Sequence, residues 1–216
     1  MALVIYDMDD TLLNADASSL WIEYLVEQGI ADGDEILRQE EILMQQYHQG
    51  TLDVSDYVVM QLKPCIGMTL EQLQPHVDAY IEEKIRPMVR KGACTNIANH
   101  QAQGDRCMVI SASTTFLVAP IAKALGIKDA IGIDIQLDDD RIVGTVEGVP
   151  SYREGKVTRL EAWLEQEKEE MHNSWFYSDS HNDLPLLEVV TNPVAVNADD
   201  KLVQLATEKG WQQVVW

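Results

Sequence analysis

The sequence has few cysteines, few aromatic residues and no long hydrophobic run. Its three cysteines, Cys65, Cys94 and Cys107, are widely spaced and include no Cys-x-x-Cys pair. Such an odd, scattered set is not a disulfide framework, so we expect a reducing, cytoplasmic compartment. The longest uncharged segment, residues 107–122, contains several hydroxyl side chains and a proline, and is too short and polar to cross a membrane. The first residues lack the features of a signal peptide, and we expect none.

Basic residues are also scarce. Lys and Arg number 16 against 36 Asp and Glu, which gives a formal charge of −20. So acidic a surface argues against nucleic acid and anionic membranes as partners. The 216 residues, 46% hydrophobic and 24% charged, have the composition of an ordinary globular protein. The oligomeric state is left open. The acidity poses a question, because any anionic ligand would have to bind against the protein's own field.

Short apolar segments alternate with helical patterns along most of the chain. The expected strands lie at about 3–6, 107–110, 131–135, 142–146, 175–177 and 194–196, with a hairpin tip at 138–140. The expected helices lie at about 90–103, 114–125, 154–170, 183–190 and 199–209. Strands that alternate with helices predict an α/β fold with a mostly parallel sheet covered on both faces.

A helical segment interrupts this alternation after the first strand. Apolar residues recur at helical spacing over about 16–86, and Asp53 is a suitable N-cap. Thr69-Leu-Glu-Gln72 has the form of a capping box. We therefore predict an α/β core formed by residues 1–15 and 87–216, and an inserted all-helical domain at 16–86.

Polar side chains follow the predicted strands where those strands end. Asp7, Asp9 and Thr11 follow the first strand, Ser111 follows the second, and residues 178–183 follow a later one. Ligands bind at the carboxyl ends of strands in an open parallel sheet. Taken singly, each feature has an ordinary explanation, because acids and serines there commonly cap helices. The order and placement of the whole set favour a functional site.

These motifs resemble those of the haloacid dehalogenase (HAD) superfamily, in its phosphoserine-phosphatase-like branch. Asp7-x-Asp9-x-Thr11 corresponds to the first motif, Ser111 to the second, Lys156 to the third, and Asp179-x-x-x-Asp183 to the fourth. The resemblance covers nearly the whole chain. It implies a Rossmann-like α/β core and assigns the helical insertion as a cap. Ser178 stands where many members have glycine, and serine is small enough to replace it.

The acidic residues themselves favour a magnesium site. Asp7 and Asp9 are two apart, so on a strand they point to one side, and Asp179 and Asp183 bring two more carboxylates. Crowded carboxylates repel, and a hard cation with oxygen ligands relieves this. No His or Cys cluster suggests zinc. We expect Mg²⁺ bound by Asp7, Asp9, Asp179 and Asp183, and the resemblance implies that Asp9 binds through its backbone carbonyl.

The resemblance implies a phosphatase that works through an aspartyl-phosphate. Asp7 is the expected nucleophile, and Asp9 the expected acid and base. The dehalogenases of the superfamily lack an acid at the Asp9 position, so its presence favours phosphoryl transfer. The expected phosphate-binding residues are Thr11, Ser111, Ala112, Lys156 and Asn182.

The predicted cap indicates the substrate class. In the phosphoserine phosphatases, a cap glutamate and a cap arginine hold the ammonium and carboxylate of serine. Asp16 aligns with the glutamate, whereas residues 53–62 contain no arginine. Residues 16–84 contain 14 acidic and 3 basic residues. We predict a small phosphomonoester with a cationic or neutral end, such as histidinol phosphate, and Asp16 and Arg38 as candidate cap contacts.

Several alternatives stay open. The chain could be a phosphoserine phosphatase, a phosphotransferase with an acceptor alcohol, or a non-catalytic phosphate-binding protein. A P-loop is excluded, because Pro150 and Val157 stand where glycine and Ser or Thr are required. No serine lies in a G-x-S-x-G nucleophile elbow. His181 lies inside the fourth motif and could touch the site.

Overall fold

The computed structural model describes residues 1–49 and 51–216. Seven strands form one sheet within these residues: β1 (Leu3–Tyr6), β2 (Arg106–Thr114), β3 (Asp129–Asp138), β4 (Arg141–Glu147), β5 (Trp175–Ser178), β6 (Asn192–Val196) and β7 (Gln212–Val214). Their order is β4-β3-β2-β1-β5-β6-β7, so β1 is central. All neighbours pair in parallel except β3 and β4, which form an antiparallel hairpin. The predicted α/β fold is confirmed.

Helices lie on both faces of the sheet. Within the described residues they are α1 (Ala17–Glu27), α2 (Gly33–Gln49), α3 (Val54–Leu62), α4 (Leu70–Tyr80), α5 (Lys91–Ala102), α6 (Thr115–Ala124), α7 (Glu154–Glu167), α8 (Leu184–Leu187) and α9 (Asp200–Lys209). In this part of the chain, no helix combines the length and hydropathy that a membrane span needs.

The central strand separates two layers of the core. Val4 and Tyr6 belong to one apolar cluster, whereas Leu3 and Ile5 belong to another. This is the two-residue alternation of a strand that is buried on both faces. All four side chains are buried, with at most 3% exposed. The strand that precedes Asp7 is therefore held rigidly from both sides.

The four helices α1 to α4 lie between β1 and β2 in the chain. Asp53 caps α3 by accepting from the Ser55 amide at 2.9 Å. The capping box is also present, since the Gln72 amide donates to Thr69 Oγ1 at 3.2 Å. The segment contacts the hairpin, because α3 packs against β4 and the Ile142 amide donates to the Met68 carbonyl at 2.9 Å.

Several elements of the structure differ from the sequence prediction. β2 continues to Thr114, so Ser111 lies inside this strand. The predicted helix at 183–190 is replaced by a 3₁₀ turn at His181–Asp183 and the short α8, whose second residue is a proline. The helix predicted to reach residue 170 ends at Glu167, because Lys168 takes a left-handed conformation with φ of 58°.

Candidate active site

The carboxyl ends of β1, β2 and β5 meet at one edge of the sheet. Asp7 follows β1 directly, and its amide donates to the Tyr177 carbonyl at 2.9 Å, which extends the pairing of β1 with β5. Asp179 follows β5 in the same way. Since β2 is the other neighbour of β1, Ser111 also comes to this edge. Adjacent parallel strands therefore bring the first, second and fourth motifs together.

Lys156 lies between two acids of this group. Its Nζ is 2.7 Å from Asp7 Oδ1 and 2.7 Å from Asp183 Oδ1. All three side chains are buried, with exposed fractions of 2%, 6% and 3%. Ser178, the residue in place of glycine, donates to Asp183 Oδ2 at 2.8 Å. The single charge of Lys156 thus offsets part of the negative charge of these two buried carboxylates.

The loop before α7 sets the position of Lys156. A Cβ on Gly155 would lie 1.9 Å from the Pro150 carbonyl oxygen, so only glycine allows the chain to pass this close. Arg153, just before the helix, has a φ of 51°. Ser151 donates to the Ser111 carbonyl at 2.6 Å, which fastens this loop to β2.

Asp9 accepts three hydrogen bonds. The Ala17 amide donates to Oδ1 at 2.7 Å, and the hydroxyls of Ser111 and Ser113 both donate to Oδ2 at 2.9 Å. Tyr80 in turn donates to the Ala17 carbonyl at 2.5 Å. The carboxylate is therefore held between the start of α1 and the end of β2.

Thr11 connects the first and fourth motifs. Its Oγ1 donates to Asp179 Oδ1 at 3.1 Å and accepts from the Asp179 amide at 3.0 Å. Ala112, the other phosphate-binding candidate on β2, is half-buried. The Asn182 side chain is buried and its Oδ1 accepts from Arg153 Nη2 at 3.0 Å.

Burial and like charges raise the pKa values of the acids. Burial raises the pKa of Asp7 to about 7 although Lys156 opposes this, and it raises the pKa of Asp9 to about 7 as well. Burial, followed by repulsion from Asp7 and Asp183, raises the pKa of Asp179. The two neighbouring carboxylates raise the pKa of Lys156 although burial alone would lower it. The site thus holds more negative charge than one lysine neutralises.

This donor set suits a hard cation. In the described part of the chain, no three or more His, Cys, Asp or Glu side chains converge as a metal cluster. Within the described residues, protein donors reach both carboxylate oxygens of Asp9 and of Asp183. They reach only Oδ1 of Asp7 and of Asp179, so these two carboxylates are the best suited to a cation. Mg²⁺ commonly binds through one or two carboxylates and keeps several waters, so the pair fits it.

Comparison with known proteins identifies the family. The profile of the haloacid dehalogenase-like hydrolases matches residues 4–188, a span that contains all four motifs. The chain is 37% identical over 213 residues to a histidinol-phosphatase of Neisseria meningitidis serogroup C (strain 8013), covering 97% of this chain and 96% of that protein. This chain belongs to the haloacid dehalogenase-like hydrolases. Within that family it is an enzyme of the phosphatase type.

Solved structures share the fold of this HAD hydrolase. A Bordetella pertussis Tohama I protein of unknown function matches with a TM-score of 0.91 and 35% identity, over 99% of this chain and 97% of that chain. A phosphoserine phosphatase, solved as a phospho-aspartyl intermediate analogue, matches with a TM-score of 0.68 and 18% identity, over 99% and 92%. The HAD-like fold predicted from the motifs is therefore confirmed.

A cavity of about 460 Å³ opens beside these acids. Its wall consists of Asp9, Asp10, Asp16, Met44, Arg90, Asp179, Ser180, His181, Asn182, Asn197, Asp199, Asp200 and Lys201. Most of these residues come from the ends of β1, β5 and β6, whereas Asp16 and Met44 come from the helical segment. Its position next to Asp9 and Asp179 makes it the candidate site for a small ligand.

The structure separates the two candidate cap contacts. Asp16 lines the cavity and caps α1, accepting from the Ser19 amide at 2.7 Å. Burial raises the pKa of Asp16 to about 6. Arg38 is exposed on α2, where its Nε donates to the Asp34 carbonyl at 2.5 Å, and it is not part of the cavity wall. Asp16 is thus the candidate that the geometry supports.

His181 lines the cavity but faces an acid. Its Nδ1 is 2.8 Å from Asp199 Oδ2, and Lys201 Nζ is 3.3 Å from its Nε2.

Sequence reasoning missed two groups, Ser113 and Arg153. Ser113 is two residues beyond Ser111 on the same strand, so the period of two could have identified it. No comparable signal pointed to Arg153, which lies in a loop.

Proposed function

We propose that this HAD hydrolase is a Mg²⁺-dependent phosphatase that acts on a small amino-alcohol phosphate, with histidinol phosphate as the first candidate. The observation that carries the proposal is the buried contact of 2.7 Å between Lys156 and Asp7, with Asp9 two residues further on. Resemblance to a named histidinol-phosphatase at 37% identity supports the choice of substrate. The three free cysteines fit a cytoplasmic location.

The reaction consists of two displacements at phosphorus, in which Asp7 is the nucleophile and Asp9 is the acid and then the base. A carboxylate oxygen of Asp7 bonds to phosphorus while the bond from phosphorus to the ester oxygen breaks, and that oxygen keeps the electron pair. Asp9, whose pKa of about 7 allows it to hold a proton, protonates the leaving oxygen. Water then attacks the aspartyl-phosphate and gives its proton to Asp9, which releases inorganic phosphate and restores Asp7.

The remaining residues bind and neutralise the phosphoryl group. Lys156 places a fixed positive charge beside Asp7, and Thr11, Ser111, the Ala112 amide and Asn182 are the proposed phosphate donors. Asp7 and Asp179 would hold Mg²⁺, together with the Asp9 carbonyl that the family resemblance implies. When bound, the ion neutralises charge on the phosphoryl oxygens, which lowers the barrier of phosphoryl transfer.

The cavity wall supports a cationic substrate end. The helical segment, which we propose is a cap formed by residues 16–86, contributes the acid Asp16 to the wall, and none of the described wall residues from this segment is basic. A substrate carboxylate would meet repulsion from Asp16, whereas an ammonium group would be attracted. The phosphate end would meet Lys156 and the cation instead. The acidic protein can thus accept an anionic ester whose other end is positive.

A phosphate-release panel with Mg²⁺ tests the proposal. The panel contains histidinol phosphate, phosphoserine, glycerol phosphate and p-nitrophenyl phosphate. We expect the highest kcat/KM with histidinol phosphate. Turnover dominated by phosphoserine would overturn the substrate assignment, and addition of acceptor alcohols with a labelled phosphoryl group would reveal a phosphotransferase. Release of no phosphate from any ester would overturn the catalytic assignment.

A further inference from the structure

A chain of two hydrogen bonds between hydroxyl and carboxylate groups leads from the helical segment to Asp9. Ser18 Oγ, in the first turn of α1, is 3.0 Å from Ser113 Oγ, and Ser113 Oγ donates to Asp9 Oδ2 at 2.9 Å. Both serines are buried, with 2% and 4% of their surface exposed. Ser113 is absent from the four motifs, and none of the roles proposed above uses it.

The number of hydroxyl hydrogens determines which group donates in each of these hydrogen bonds. Ser113 has a single hydroxyl hydrogen, and it is used for Asp9 Oδ2. Ser113 must therefore accept at its other contact, which makes Ser18 the donor of that bond. Hydrogen bonds arranged in one direction polarise each other, so the Ser18 hydroxyl strengthens the bond from Ser113 to Asp9.

The number of acceptor positions on Asp9 can be compared with its hydrogen bonds in the same way. A carboxylate offers about four acceptor positions. Three are filled by the Ala17 amide and by the hydroxyls of Ser111 and Ser113. The one remaining position is where the transferable proton can be held. The contacts thus fix both the rotation of the carboxyl group and the side from which it can donate.

Ser111 cannot serve Asp9 and the phosphate at once. Its single hydroxyl hydrogen points to Asp9 here, whereas the proposed function directs it to a phosphoryl oxygen. Once phosphate is bound, Ser113 is the hydroxyl that still donates to Asp9 Oδ2. Ser113 is then the only one of these two serines that orients the Asp9 carboxyl group at Oδ2.

We infer that Ser113, oriented by Ser18, is a positioning residue that holds Asp9 in the rotation needed to protonate the leaving oxygen. The inference rests on the proposed function, because it needs Asp9 to act as the acid. It also connects the cap to the acid, because Ser18 belongs to α1 and Ser113 to β2. Displacement of α1 would remove both the Ser18 hydroxyl and the Ala17 amide from the chain.

The basicity of the leaving group distinguishes this role from a structural one. An alkoxide needs a proton as it leaves, whereas p-nitrophenolate is weakly basic and leaves without one. We expect Ser113→Ala to lower kcat/KM for histidinol phosphate about tenfold, part of the 10²–10⁴ that a general acid contributes. For p-nitrophenyl phosphate the same variant should change kcat/KM by less than about twofold, since the acid contributes little there.

Ser174→Ala is the matched control. Ser174 is also fully buried and hydrogen-bonded, but it lies at the amino end of β5, away from the site. It should leave kcat/KM unchanged for both esters. Equal losses with both esters in Ser113→Ala would overturn the positioning role. Ser18→Ala gives a second test if Ser113→Ala fails to fold, and the same leaving-group dependence is expected at about threefold.

The wild-type enzyme separates this inference from the proposed function. If wild-type protein releases phosphate from both esters and Ser113→Ala lowers both equally, the phosphatase assignment stands and the positioning role fails. If wild-type protein releases phosphate from neither ester, the proposed function itself fails.

Discussion

The Nζ of Lys156 lies 2.7 Å from Asp7 Oδ1, and the two groups are buried together at the central strand end. The proposed nucleophile and its counter-charge are 149 residues apart in the chain and reach each other only in the folded protein. Because Lys156 also contacts Asp183, one cation organises two of the four motifs. The site is therefore arranged before any phosphate binds.

Replacing Lys156 by Met removes this cation while keeping an unbranched side chain that is one atom shorter. Breaking a buried ion pair costs about 3–5 kcal/mol of stability, because the remaining carboxylates stay buried without a partner. We expect kcat to fall by at least about 10²-fold, as for the loss of one preorganised charge-stabilising group. Urea unfolding and phosphate release measure the two effects. Lys123→Met on the exposed side of α6 is the control, and retention of half the activity by Lys156→Met would contradict the assignment.

Asp7→Asn should reduce turnover to background, because an amide is a poor nucleophile toward phosphorus. The variant should also fail to form the phosphorylated protein that acid quenching and intact mass measurement detect in the wild type. Asp139→Asn, at the exposed tip of the hairpin, makes the same chemical change away from the site. A phosphorylated Asp7→Asn protein would place the nucleophile elsewhere.

Much of this fold was predictable because strand and helix patterns are local. The alternation of Leu3, Val4, Ile5 and Tyr6 identified the central strand, and the capping residues located two of the inserted helices. The hydrogen-bond partners within the site were not predictable. They depend on which side chain reaches Asp9 across two elements, and the donation from Ser113 follows from strand register, which the sequence does not state.

Stability of the metal-free protein should fall as pH rises from about 4 to about 7. Burial raises the pKa values of Asp7 and Asp9 to about 7 from 3.8, so the folded state holds more protons than the unfolded chain between these values. The free energy of unfolding then decreases as pH rises. The decrease is about 1.4 kcal/mol for each unit by which burial raises the pKa of one acid. The pKa values of Asp105 and Asp199 are lowered, so ionisation of these two acids changes stability only at pH values below this window.

Urea unfolding in EDTA measures this slope, and addition of Mg²⁺ should reduce it by neutralising the same acids. EDTA should also abolish phosphate release, with recovery on adding Mg²⁺ in excess. A free energy of unfolding that is flat or rises across the window would contradict the buried acidic cluster.

Gly155→Ala should disturb the loop that positions Lys156. The new Cβ would meet the Pro150 carbonyl oxygen at 1.9 Å, a contact that only a backbone shift can relieve. We expect a loss of about 1–3 kcal/mol in stability, as for other overpacked sites, together with a lower kcat. Thr158→Ala, one turn further along α7 and exposed, should preserve both quantities. A Gly155→Ala protein of wild-type stability and activity would show that the loop adapts freely.

Asp16→Asn tests whether the cap selects a positive substrate end. Asn is as good an N-cap as Asp, so α1 should keep its start and the protein its stability. Loss of the charge should lower kcat/KM for histidinol phosphate about tenfold, equivalent to about 1.4 kcal/mol of attraction. For glycerol phosphate, which has no amine, kcat/KM should change by less than about twofold by the same reasoning.

Because burial raises the pKa of Asp16 to about 6, the preference of the wild type for the amine should grow between pH 5 and pH 8 as the carboxyl ionises. Asp53→Asn makes the same change at the N-cap of α3, away from the cavity wall, and should leave the ratio of the two substrates unaltered. Equal losses for both substrates in Asp16→Asn would mean that Asp16 supports the site without reading the charge of the substrate.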